Sequence, residues 1–212
     1  ESFFHLVGGG LQVREASRQF RLDNRGGNGF LLATEACNGY LPHTKHVQLG
    51  SWARGYRYSR DILHQLGNNA SGWVDWNLAL DSSGGPNHAG NFVDSPVITD
   101  TRNNTNSDRF FKQPAYYAIA HFSAFLPPGS VRLGVKGVEN SQVGPDAMEV
   151  VAFRRPDDKV VVVLINDRLV DMPIGLLRPR LRTAQVEIRC ANLSSTVTLE
   201  PHEIKTVIFP CT

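Results

Sequence analysis

Residues 30–39 read FLLATEACNG. Phe30, Leu31, Leu32 and Ala33 follow one another with no polar alternation, the pattern of a strand buried on both faces as parallel sheets require. Thr34 and Glu35 then precede Ala36 and Cys37 with no turn residue to announce them. Glu35 therefore falls at the C-terminal end of the strand. In open parallel sheets and in (β/α) barrels, that edge is where ligands bind and catalytic side chains are mounted. Taken alone, the stretch is more commonly explained by a surface Glu or a salt-bridged strand cap, so the rest of the chain has to decide.

Downstream the order becomes regular. In SWARGYRYSRDILHQL (51–66), Trp52, Tyr56, Ser59, Leu63 and Leu66 recur at steps of four and three, which predicts one face of a helix with Ser51 as its N-cap. The turn GNNASG leads to WVDWNLAL (73–80), read as a second apolar strand. Next come a long Gly/Pro/Asn-rich loop and QPAYYAIAHFSAF, where Pro114 suits a first helical turn. The helix-to-strand link near 67–72 is short. The strand-to-helix links, roughly 35–50 and 80–112, are long and rich in His, Asn, Asp and Gly, as functional loops tend to be. They share a rim with Glu35, and Asp75, Trp76 and Asn77 come near it. A carboxylate, an indole and amides on one rim suit a sugar, whose CH face stacks on aromatic rings while its hydroxyls need fixed hydrogen-bond partners.

After LPPGS (126–130) the segments VRLGVKG, MEVVAFRRPDDKVVVVLIND, AQVEIRC, STVTLE and HEIKTVIF are short and β-branched, with RPDDK reading as a hairpin loop. This predicts an all-β sandwich. The fold class is thus α/β plus all-β. Its boundaries are an atypical N-terminal segment at 1–28, with a GGG hinge and a short basic helix, an α/β region at 29–126, and a sandwich at 127–212.

Composition narrows the function classes. The 212 residues carry 22 Lys+Arg against 20 Asp+Glu, a net charge of +2, and are 41% hydrophobic. A packed core is expected, and nucleic-acid binding has no support. There is no membrane-spanning run. The chain begins with Glu and has no signal-peptide pattern, as expected of a piece of a longer chain. Three cysteines cannot all pair within the molecule; Cys190 with Cys211 is a candidate disulfide, and Cys37 reads as a small packing residue. His43 and His46 lack a third ligand and read as surface residues, so no metal or other cofactor is expected. Asn69, Asn103 and Asn192 begin glycosylation sequons, pointing to a secretory route.

In LLATEACNG, LGSWARGYRYSRDIL, GWVDWNLALDSSGGPN and NFVDSPVITD…FFKQPAYYAIAHFSAFLPPGS, the chain resembles the C-terminal part of the lysosomal glucosylceramidases (acid β-glucosidases), in a nematode-like form. The resemblance spans roughly residues 29–212. It implies a (β/α)8 barrel with an attached β-sandwich, residues 29 to about 126 supplying the last two βα units. It makes Glu35 the nucleophile of a retaining β-glucosidase, with Thr34 where the family has Ser. Trp76 and Asn91 would contact the glucosyl unit, and Asp75 would belong to the rim. The substrate implied is glucosylceramide or another β-glucoside, with a lysosomal activator protein and contact with a lipid surface as further partners, in a lysosomal or secreted full-length protein. The family's acid/base Glu is expected N-terminal to this sequence, so the isolated chain is expected to be inactive. Two other readings compete: a truncated, inactive homologue serving as a glycan- or protein-binding module, and a related retaining β-glycosidase for another sugar.

Overall fold

The computed structural model describes residues 15, 17–20, 29–41, 44–100, 109–136, 146–170, 180–181 and 183–211. His43, Asn103 and the GGG stretch lie outside them, and of the expected N-terminal helix residues 15 and 17–20 are helical. The chain forms two compact units that divide between Ile119 and Ala120.

In the first unit, strand β1 (Leu31–Ala36) runs parallel to β2 (Ala70–Asp75), and helix α1 (Trp52–Gly67) connects them. This is one β–α–β crossover, the repeating element of parallel sheets. Leu31 and Ala33 are buried, as the apolar run requires, whereas Phe30 is exposed. Helix α1 stops where Asn68 donates its backbone N–H to the His64 and Gln65 carbonyls and Asn69 turns left-handed at φ 69°. Asn tolerates that conformation better than most residues, which lets the chain reverse directly into β2.

Two local expectations need correcting. The buried face of α1 is Arg54, Gly55, Tyr58, Ser59, Ile62, Leu63 and Gln65, rotated from the apolar row read in the sequence; Trp52 is 53% exposed. Close packing rather than apolarity sets this face. A Cβ on Gly55 would stand 2.7 Å from the Pro114 backbone, so the helix approaches that segment too closely for any side chain. Ser51 occupies the N-cap position, but its side chain makes no capping bond. Second, WVDWNLAL is two strands. The β2 ladder ends at Asp75, and β3 (Ala79–Asp81) pairs in parallel with β4 (Val97–Thr99), which pairs antiparallel with β5 (Phe110–Lys112). Leu80, Val93 and Ile98 form a small core under this sheet, against which Cys37 and Val47 pack.

Helix α2 (Pro114–Ser123) follows, with Pro at its first residue. In the second unit β6 (Val131–Leu133), β7 (Asp146–Arg154), β8 (Lys159–Val170), β9 (Arg180–Leu181) and β12 (Ile204–Pro210) form an antiparallel sheet in the order β12-β8-β7-β6, with β9 also on β8. The RPDDK loop joins β7 to β8, and Asp158 takes φ 58° there. A hairpin, β10 (Ala184–Cys190) and β11 (Leu193–Leu199), lays Ala184 and Leu199 onto Met148, Ala152, Val160, Val162 and Leu164 of the larger sheet. Two sheets sharing such a core form a sandwich. Cys190 is bonded to Cys211 at a Cα–Cα distance of 5.7 Å, which joins the end of β10 to the residue following β12. Cys37 carries no disulfide.

Candidate active site

The ladder between β1 and β2 is regular at Ala33↔Trp73 and resumes at Ala36↔Asp75. Two residues, Thr34 and Glu35, therefore face one, Val74, across the break. Successive exposure of Thr34 and Glu35 shows the same interruption of strand alternation. Such a bulge re-aims side chains, and bulges gather beside active sites. Glu35 projects from it, exposed and without a hydrogen bond among the described residues. Cys37, two residues on, is half-buried; burial first, then the Glu35 and Asp75 carboxyls, push its thiol up. A thiol held protonated beside an acid is a packing group rather than a nucleophile.

Trp73 and Asp75 both turn toward α1. The Trp73 indole donates to Asp61 at 2.6 Å and meets the Tyr58 ring edge-on at 5.1 Å between centroids. The Tyr58 hydroxyl donates to Asp75 Oδ1 at 2.7 Å. The same oxygen accepts the backbone N–H of Trp76 at 2.9 Å, and that N–H also lies 2.8 Å from the Ala36 carbonyl. One shared donor thus ties the exposed Trp76 to both β2 and the strand end that carries Glu35. Burial holds the Asp75 carboxyl well above the usual carboxylate range, at about 7, although the Tyr58 and Trp76 donors pull the other way. Tyr58 remains a neutral donor, since burial and then the Asp75 charge raise its pKa far above the ordinary phenol value.

The two long loops reach the same edge through an ion pair that sequence reasoning did not find. Arg54 on α1 pairs with Asp94 Oδ2, both side chains being about 5% exposed, and the guanidinium also donates to the carbonyls of Lys45 and His46. Asp94 accepts further bonds from the Gln48 N–H at 3.2 Å, the Ser95 N–H at 3.0 Å and the Gln113 side-chain amide. Its own N–H donates to the Asn38 carbonyl at 2.8 Å. Buried charges persist when they are paired and further hydrogen bonds engage the groups left over, as both partners are here. The pair clamps the loop after β1 to the loop before β4, and Asn91 lies three residues from the clamp. The sequence held no local signal for the pair, because the apolar row read for α1 leaves Arg54 off its inner face.

The site residues expected from the sequence are distributed as follows. Glu35, Asp75 and Trp76 come together at the C-terminal edge of β1 and β2, and Asn91 is exposed on the loop tied to Asn38. The Asn91 backbone N–H is held 3.2 Å from the Asn87 side-chain carbonyl. His46 faces the Gly39 carbonyl at 3.3 Å and the Phe92 ring at 6.0 Å, so it acts as loop packing. Gly39, at φ 84°, permits that approach, because a Cβ there would collide with the His46 carbonyl. Asn69 and Asn192 are exposed, the first at the start of β2 and the second in the β10–β11 turn.

Comparison with known proteins agrees with this geometry. The chain is 44% identical over 154 residues to the lysosomal acid glucosylceramidase of Mus musculus, covering 73% of this chain and 28% of that protein. It is 37% identical over 183 residues to putative glucosylceramidase 4 of Caenorhabditis elegans, covering 85% and 31% respectively. The chain therefore spans less than a third of the length of these relatives. Among solved structures, SrfJ from Salmonella typhimurium shares the fold at a TM-score of 0.74 and 24% identity, over 98% of this chain and 40% of that one. Residues 15–126 match the glycosyl hydrolase family 30 TIM-barrel domain and residues 129–207 the β-sandwich domain of the same family. A barrel part followed by a sandwich is what those matches describe, and the chain belongs to glycosyl hydrolase family 30.

Proposed function

We propose that this chain forms the nucleophile-bearing part of a retaining β-glucosidase that hydrolyses glucosylceramide, with Glu35 as the nucleophile. The observation that carries the reading is the bulge at Thr34–Glu35. It presents a carboxylate that is exposed and unpaired among the described residues, at the functional edge of a parallel strand pair near Trp76, in a chain 44% identical to a lysosomal acid glucosylceramidase.

In the first step a Glu35 oxygen bonds to the anomeric carbon as that carbon's bond to the leaving oxygen breaks, while a carboxylic acid gives its proton to the leaving oxygen. In the second step water attacks the anomeric carbon, that same carboxylate takes the water's proton, and Glu35 departs as a carboxylate. Retaining enzymes hold the two carboxyls about 5–5.5 Å apart. The acid is assigned to the part of the relatives that this chain does not span. Trp76 would supply a stacking face for the glucosyl ring, and Asn91 hydrogen bonds that strengthen toward the oxocarbenium-like transition state. Asp75 would back the rim from its helix side without touching the sugar, both its carboxyl oxygens being turned inward.

Likeness to a lysosomal relative, together with exposed sequons at Asn69 and Asn192 and the Cys190–Cys211 bond, supports a secretory route to the lysosome. A lysosomal activator protein and a lipid surface are the partners that a membrane-embedded glucolipid would demand.

The test uses the full-length protein that carries these residues. A cyclitol epoxide should label Glu35, located by peptide mass spectrometry, and Glu35→Gln should abolish labelling and lower turnover by roughly 10⁴-fold or more. Labelling at another carboxyl overturns the assignment. An aryl β-glycoside panel tests the sugar, and preference for a β-linked sugar other than glucose would replace glucosylceramide as the substrate.

A further inference from the structure

The Asp75 carboxyl is an anomaly in an otherwise well-satisfied corner. Its Oδ1 receives two donors, Tyr58 Oη and the Trp76 N–H, while its Oδ2 is closed off from solvent and has no hydrogen-bond partner among the described residues. Among the described residues no cation pairs with it. The titratable groups around it are Tyr58 on α1, Cys37 and Glu35 at the end of β1, and Asp94 on the loop before β4. None is positive, and Arg54, the neighbouring cation, is engaged by Asp94. A buried ionised oxygen with no donor is far costlier than a protonated one.

The position is as informative as the chemistry. Asp75 is the last residue of β2, sits opposite Ala36, and its two donors belong to the aromatic residue that follows it and to the helix behind it. We propose that Asp75 is a positioning residue for the reaction: as a neutral carboxylic acid shared with Tyr58, it fixes the strand end that presents Glu35 and the backbone of Trp76. The proposal rests on Glu35 being the nucleophile. Ionising Asp75 would strand a buried negative charge without a counter-ion, within reach of the Asp94 charge, loosening the joint between β1 and β2. The reaction would therefore run with Asp75 protonated, on the acid side of neutrality.

The sign follows from the raised carboxyl. Its contribution to stability is complete below the ordinary carboxyl range and is lost as pH rises through about 7. Asn is the shape of the neutral acid and cannot ionise, so Asp75→Asn isolates the effect.

The experiment measures turnover of an aryl β-glucoside and Glu35 labelling from pH 5 to 8 in the full-length protein, for wild type, Asp75→Asn, Asp75→Ala and Tyr58→Phe. The wild-type to Asp75→Asn rate ratio cancels every other titration. It should be flat on the acid side and fall through about pH 7. Asp75→Asn should stay within about threefold of wild type at pH 5, whereas Asp75→Ala, which misplaces the joint, should lose on the order of 10²-fold in kcat. A ratio flat across the whole range, or Asp75→Asn as impaired at pH 5 as Asp75→Ala, overturns the proposal. If Asp75→Asn does not fold, the Tyr58→Phe to wild-type ratio decides. Removing a donor to the ionised form moves the Asp75 transition to higher pH, so an unmoved transition is equally fatal. Label found on a carboxyl other than Glu35 overturns the nucleophile assignment instead, whatever the pH ratios show.

Discussion

The two units of this chain are ordered by different forces. In the second unit every side chain from Val160 to Ile165 is buried, so the centre of the sheet is held by apolar burial, Glu149 and Asn166 are the buried polar residues of its β7–β8 pair, and one disulfide ties the β10 end to the residue after β12. In the first unit the strands are short, the connections long, and the buried side chains include Asn38, Arg54, Ser59, Gln65, Asp94, Ser95 and Gln113. Irregular backbone has no ladder to satisfy its polar groups, so side chains must do so. The Arg54–Asp94 clamp and the Tyr58–Asp75 bond perform that task at the edge that carries Glu35. Precise placement of loops around a reacting centre here comes from many polar partners, whereas the sandwich rests mainly on apolar burial, with Asn166 donating to the Leu199 and Glu200 carbonyls as its buried polar tie.

That contrast can be broken most severely at the clamp. Asp94→Ala leaves the Arg54 guanidinium buried and uncompensated, and should cost roughly 3–5 kcal/mol. A fall in the denaturant midpoint would record this, together with slower Glu35 labelling by a cyclitol epoxide, because both long loops lose their anchor. Adding Arg54→Met to that variant should restore much of the stability but not the labelling rate, since an apolar pair fills space without fixing the carbonyls of Lys45 and His46. Stability unaltered by Asp94→Ala would show that burial, not the clamp, orders the first unit.

Next in size is the disulfide. Cys190 and Cys211 are separated by 21 residues, and closing a loop of that length is worth about 3 kcal/mol. Replacing both with Ser should lower the unfolding midpoint of the full-length protein by a corresponding amount while leaving Glu35 labelling at its wild-type rate. A loss of labelling without a loss of stability would contradict the division of labour between the units.

The smallest effects belong to the sequons. Ser71→Ala and Ser194→Ala remove the acceptor hydroxyls at exposed positions of the two units and should change stability by no more than about 0.5 kcal/mol. In a secretory host each should abolish one glycosidase-sensitive mobility shift. Absence of any shift from the parent protein would remove the sequon argument for a secretory route.

Much of this arrangement was legible in the sequence because it is local. The run from Phe30 to Ala33 ends in Glu35, Pro114 opens α2, RPDDK turns between β7 and β8, and the sandwich strands show their β-branched runs, all within a few residues of their cause. What needed the tertiary structure is what depends on distant partners. The bulge at Thr34–Glu35 exists only in the register against β2, and the last bond of that ladder, from the Trp76 N–H to the Ala36 carbonyl, joins residues 40 apart in sequence. The face of α1 was set by a contact with Pro114, and the Arg54–Asp94 pair by residues 40 apart in sequence. A periodic pattern records which side chains avoid water. It carries no trace of which buried donor meets which acceptor, and the presentation of Glu35 by its neighbours is decided by those pairings.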